Sequence, residues 1–230
     1  MNRTPSAALA GLLLGLTALA APSGAAHAGD RTVVTRTYLW HSDQLIIEVP
    51  ADVRYHPAPT WSLTISAPKR TLGELVVGAR RIRARPHTCF SLIPFCMSFG
   101  TDIHHTVHVY ISGPALRVIQ LDGSADLALD QVHQDRLAVQ IDGSAKVHGS
   151  GTVQALLVRI DGVGTVRLAH MSEQRARVRI DGSGTVSIAP TESVSVHIAG
   201  AGTVRLHSDP PHVTTHIEGA GDVIRVPAAG

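Results

Sequence analysis

Aromatic side chains are scarce in this chain: two Trp, three Tyr and three Phe among 230 residues, none beyond Tyr110. Flat rings are the common platform for sugar faces and nucleobases. Any stacking site therefore belongs to the first half, where most of the rings are expected to fill the core. Cysteine is scarcer still, with only Cys89 and Cys96. Their spacing is not the Cys-x-x-Cys of redox exchange. In an exported chain they are expected to form one structural disulfide, adding roughly 2 to 3 kcal/mol through loop entropy. An excess of charge of one sign is also missing, since 20 Lys and Arg face 18 Asp and Glu. That balance argues against nucleic acid or a strongly anionic surface as partner.

Catalytic signatures are absent too. The sequence holds no Gly-x-Ser-x-Gly elbow, His-Glu-x-x-His, phosphate loop or dinucleotide fingerprint. The nonapeptide pattern of calcium-binding β-rolls does not occur. His104, His105 and His108 cluster, but on a strand His104 and His108 lie about 13 Å apart, too far to close a zinc shell. No catalytic residue, cofactor or metal is expected.

The first segment reads as a signal peptide over residues 1–28. Arg3 precedes an apolar run from Ala7 to Ala21, and Ala26-His27-Ala28 supplies small residues for cleavage. Removal of 28 of 230 residues leaves a mature chain of 202. No later stretch is apolar for long enough to span a bilayer. The expected location is outside the cytoplasm: periplasm, cell surface or medium.

What the chain has in abundance is repetition. One phrase returns as LDGSADL, IDGSAKV, IDGVGTV, IDGSGTV, IAGAGTV and IEGAGDV, with corners at Gly123, Gly143, Gly162, Gly182, Gly200 and Gly219. The period of 18 to 20 residues is too short for a strand plus a full helix and fits stacked coils. Before each corner the residues alternate, as in a half-buried strand. Leu137, Val139 and Ile141, and their equivalents through Val194, Val196 and Ile198, should point inward. Gln120, Gln140, Arg159, Arg179, His197 and His216 should be wet, followed by Asp122, Asp142, Asp161, Asp181, Ala199 and Glu218. Glycine at the corner is expected to permit positive φ. A second short strand should return Val147, Val166, Val186, Val204 and Val223 to the interior, and a variable link should close the coil. The fold class that follows is all-β: a parallel β-solenoid, or β-helix, over residues 113–226, with coils of about 19 residues and a rise of roughly 4.8 Å per coil.

Residues 29–112 are β-like without a period. TVVTRTYL from Thr32, QLIIEV from Gln44, TWSLTI from Thr60 and TVHVYI from Thr106 read as strands, and Pro50, Pro57, Pro59 and Pro68 exclude long helices. This region is expected to cap the rod and supply its first irregular coils. The segment from Arg85 to Asp102, which carries both cysteines, should fold over the open end or else present an apolar contact patch.

The column Asp122, Asp142, Asp161 and Asp181 has a spacing reminiscent of glycosidase carboxylate pairs. A glycosidase needs two different environments, whereas these four occupy equivalent repeat positions. Arg159 and Arg179 should offset their repulsion, and each Asp before its glycine should bond the corner backbone. The corners, set after a strand such as VHVYISGPALRVIQLDGSADL, resemble those of the GIN domain family, the "putative auto-transporter adhesin head domain", over about Gln44 to Val223. That resemblance implies a right-handed solenoid, an extracytoplasmic location and no established enzymatic activity. The function expected is a non-enzymatic envelope protein whose outer faces bind an envelope protein or polysaccharide. The alternative is a polysaccharide-active solenoid enzyme using the Asp ladder.

Overall fold

A computed structural model describes residues 32–85 and 106–226. The leader, Cys89, Cys96, His104, His105 and most of the Arg85–Asp102 segment lie outside the described residues. The non-repetitive part forms β1 (Val33–Tyr38), β2 (Gln44–Ile47), β3 (Ala51–Pro57), β4 (Ser62–Pro68), a short helix α1 (Lys69–Glu74), β5 (Leu75–Val77), β6 (Arg81–Ala84) and β7 (Val107–Gly113). Then come β8 (Val118–Leu121) and four long strands, β9 (Ser124–Ile141), β10 (Ser144–Ile160), β11 (Val163–Ile180) and β12 (Ser183–Ile198). β13 (Ala201–Leu206), β14 (His212–Ile217) and β15 (Ala220–Arg225) end the series.

The repeats stack as a parallel β-solenoid. β9, β10, β11 and β12 pair in parallel, each coil on the next, so that Val139, Val158, Val178 and Val196 share one column. All four are at most 1% exposed, which makes the column dry. Val147, Val166, Val186 and Val204 form a second buried column. Alternation is what selects this arrangement, since every second side chain of a pleated strand meets the same face.

The variable link is also strand. β10 is hydrogen-bonded along almost its whole length from Ser144 to Ile160, with one register shift near Gly149 and Gly151. The link bends but does not leave the ladder, because unpaired backbone groups over an apolar core would be costly. Gly151 at φ 133° and Gln131 at φ 50° take up the bend.

The corner glycines serve a purpose other than the positive φ expected of them. Of the six, only Gly219 has a positive φ. The demand is close approach between coils. A Cβ at Gly182 would lie 3.0 Å from the carbonyl carbon of Gly162 and closer still to its oxygen, and Gly143, Gly162 and Gly200 face the preceding corner in the same way. That same oxygen accepts the Ser183 N–H at 2.9 Å. From Gly143 onward the corners therefore form a column in which only hydrogen fits.

The first part of the chain belongs to the same stack but not in chain order. β3 pairs in parallel with β9 on one side and β7 on the other, and β2 lies between β8 and β6. The coil made by β2 and β3 is therefore inserted between a later coil and the repeats. β4 then pairs antiparallel with β7, and β1 antiparallel with β4, which ends the parallel register. Trp40 and Tyr55 are buried in this region. The Tyr55 hydroxyl donates to Gly113 O and accepts from Leu116 N, both at 3.1 Å. At the other end the coil of β14 and β15 has a neighbour on one side only among the described residues. Val223 is accordingly only partly buried, and Ile217 is 40% exposed.

Candidate functional site

Parallel register carries the outer face as faithfully as the core. Gln120, Gln140, Arg159, Arg179, His197 and His216 occupy one column, each paired with the next. The backbone N–H groups of Asp142, Asp161 and Asp181 each donate to the preceding coil at 2.8–2.9 Å, which sets the carboxylates in a parallel column beside the first.

The expected ion pairs are present. Arg159 Nε donates to Asp161 Oδ2 at 2.8 Å, Arg179 Nε to Asp181 Oδ2 at 2.7 Å, and Arg159 Nη2 reaches Asp181 at 3.8 Å. Further along, His197 and His216 stack with ring centroids 5.1 Å apart, and His216 Nε2 lies 2.6 Å from Glu218. Among the described residues, no Asp of the ladder bonds the corner backbone through its side chain, so the Asx-turn explanation does not apply.

Nor are the four carboxylates alike. Asp142 has Gln120 as its partner, at 3.0 Å. Partial burial, followed by the charge of Asp122, pushes its carboxyl above the usual range. Asp181 is held below that range by the Arg179 hydrogen bond. The repeat position is the same, but the neighbour two residues upstream changes from Gln to Arg, and the local charge balance changes with it.

Two features, one buried and one on the wet surface, were not singled out from sequence. Glu173, at the register position of Val153 and Pro190, is fully buried. Its Oε1 accepts the Ala189 N–H at 2.9 Å while Oε2 has no partner. Burial pushes this carboxyl up to about 8. An acidic residue where neighbouring coils carry Val and Pro was the available signal. The second feature is a groove of about 670 Å³ beside the ladder, lined by Arg117, Arg136, Leu157, Arg175, Arg177 and Ser195 among others. The alternation of Arg175, Arg177 and Arg179, followed one step further upstream, would have found it.

Among the described residues no three His, Cys, Asp or Glu converge as a metal shell. His108 instead lies 3.3 Å from Asp52 Oδ2. No described helix is long and apolar enough to cross a membrane.

Residues 97–210 match the family described as "Putative auto-transporter adhesin, head GIN domain". Among solved structures, a "putative adhesin" from Bacteroides fragilis is similar at TM-score 0.60 and 15% identity, covering 86% of this chain and 99% of that one. A "putative lipid binding protein" from Parabacteroides distasonis has TM-score 0.44 at 15% identity, with 86% and 98% coverage. The first of these likenesses is one of fold. No curated protein matches the chain.

Proposed function

We propose, from the fact that residues 97–210 belong to the GIN domain family, that this chain is an exported, non-enzymatic binding module of the cell envelope. Its outer faces contact an envelope protein or polysaccharide. One observation carries this reading: the register that stacks the core also holds Gln140, Arg159, Arg179 and His197 in a single outward column. The backbone beneath that column is held by the ladder before any partner arrives, so little loop ordering is charged against binding. Proline-punctuated entry strands and an antiparallel cap keep the rod from adding coils at that end.

The test is in-cell crosslinking from a photoreactive residue placed at position 140. Replacing Arg159, Arg179 and Asp161 together with Ala should weaken capture of the crosslinked molecule while the melting temperature stays near that of the parent. Unchanged capture counts against the reading. Export is checked by intact mass: the recovered protein should lack residues 1–28 and show Cys89 and Cys96 unavailable to alkylation before reduction.

A second reading, a glycan-active enzyme, draws support from the unequal environments of Asp142 and Asp181. It requires that Asp142→Asn or Asp161→Asn abolish reducing-sugar release, and no release from a broad glycan panel would end it.

A further inference from the structure

The groove beside the ladder gathers arginines that have no carboxylate to answer them. Arg136, Arg175 and Arg177 are exposed and make no ion pair among the described residues. Two acidic groups stand at its margin against the four arginines Arg117, Arg136, Arg175 and Arg177: Asp43 faces Arg117 at 3.7 Å, and Asp135 accepts from the uncharged Gln154 at 3.1 Å. The near balance of charge over the whole chain therefore conceals a local excess, and it is the local field that a ligand meets.

Geometry adds direction to charge. Arg136, Ala155 and Arg175 are register partners on successive coils, which places the two arginine backbones about 10 Å apart along the stacking axis. Arg177 follows Arg175 on the same face, about 7 Å along the strand. One step along the strands toward the ladder, Val118, Ala138 and Leu157 form an outward row of aliphatic side chains that continues through Arg177 into Ser195 and Thr214. A groove that crosses coils is suited to an extended chain. Its floor offers C–H surface at one end and hydroxyls at the other, with guanidinium forks on the rim matched to carboxylates.

We propose that this groove binds an acidic polysaccharide, its uronate carboxylates paired with Arg136, Arg175 and Arg177 and its sugar rings laid over Leu157 and Ala138. The proposal rests on the reading of the chain as a binding module and assigns it a ligand class and a groove beside the ladder. Nucleic acid is disfavoured because no aromatic residue of the repeats is available for base stacking. An acyl chain is disfavoured because three of the six residues of that outward row, Arg177, Ser195 and Thr214, are polar.

Titration calorimetry of the mature chain with polygalacturonate, alginate and hyaluronate tests it, with neutral dextran and phosphatidylglycerol vesicles alongside. Binding to at least one acidic polymer is expected, weakening as salt is raised, with no binding to dextran. Replacing Arg136, Arg175 and Arg177 together with Gln should weaken it at least tenfold, and Leu157→Asp should weaken it separately. Circular dichroism confirms that both variants remain folded. Binding to none of the three polymers, indifference to the arginine replacements, or preference for the vesicles would each overturn the proposal. Loss of binding in the Arg159, Arg179 and Asp161 variant with no loss in the groove variants would overturn the groove while leaving the broader function standing.

Discussion

Replacing Gly182 with Ala probes the packing of one coil on the next. The new methyl group would press on the carbonyl of Gly162, 3.0 Å from its carbon and nearer its oxygen. Ordinary contact requires the corners to part by roughly 1 Å. The bond from Ser183 N–H to Gly162 O, 2.9 Å long, cannot survive that separation. Its loss costs about 1 kcal/mol, and the overpacking strain adds about 1 to 3 kcal/mol. Reduced freedom of the unfolded chain returns about 0.4 to 1 kcal/mol. The net destabilisation of about 1 to 3.5 kcal/mol corresponds to a melting temperature roughly 3 to 10 °C lower for a domain of this size. Gly73→Ala serves as the control, because nothing lies within 4 Å of the added carbon and alanine is the better helix former. Gly182→Asn separates the two reasons for glycine: asparagine tolerates left-handed backbone, so it would relieve a conformational demand but not a steric one. Thermal unfolding followed by circular dichroism reads all three. A Gly182→Ala midpoint within 1 °C of the parent, or an Asn variant markedly more stable than the Ala variant, would refute the close-approach argument.

Glu173 gives the fold a pH dependence of known sign. The folded chain holds this proton up to about pH 8, whereas the unfolded chain releases it near 4.5, so stability falls as pH climbs through that window. Glu173→Gln should melt progressively higher relative to the parent between pH 5 and pH 8, and parallel melting curves would show that the carboxyl is not buried. Core truncation should depend on position along the rod. Ile160→Ala, at a fully buried site, should cost about 2 to 5 kcal/mol. Ile217→Ala, at a site 40% exposed, should cost well under half as much, and equal losses in urea titrations would contradict the open end.

Inspection of the repeats alone was enough to identify the columns. Val139, Val158, Val178 and Val196 inside, and Gln140, Arg159, Arg179 and His197 outside, follow from two local facts: alternation along a strand and a nearly constant distance between corners. Once coils of similar length stack in parallel, equivalent residues must meet. The four expected entry strands lie at β1, β2, β4 and β7, whereas β3 was not foreseen, although Ala51, Val53 and Tyr55 alternate with polar residues between Pro50 and Pro57. The Asp ladder was legible as a column, but not the contrast between Asp142, raised first by its burial, and Asp181, lowered by the Arg179 hydrogen bond.

The coil, its inner and outer faces and the register could be read from the repeats, because alternation and corner spacing are properties of a few residues. The three-dimensional path was needed to show that β2 and β3 slot between later strands and that glycine corners answer to a neighbouring carbonyl rather than to φ. It also decided that Glu173 is sealed from water and that Arg136, Arg175 and Arg177 share one groove. Those are relations between residues distant along the chain, fixed by its path through space, and local alternation carries no record of that path.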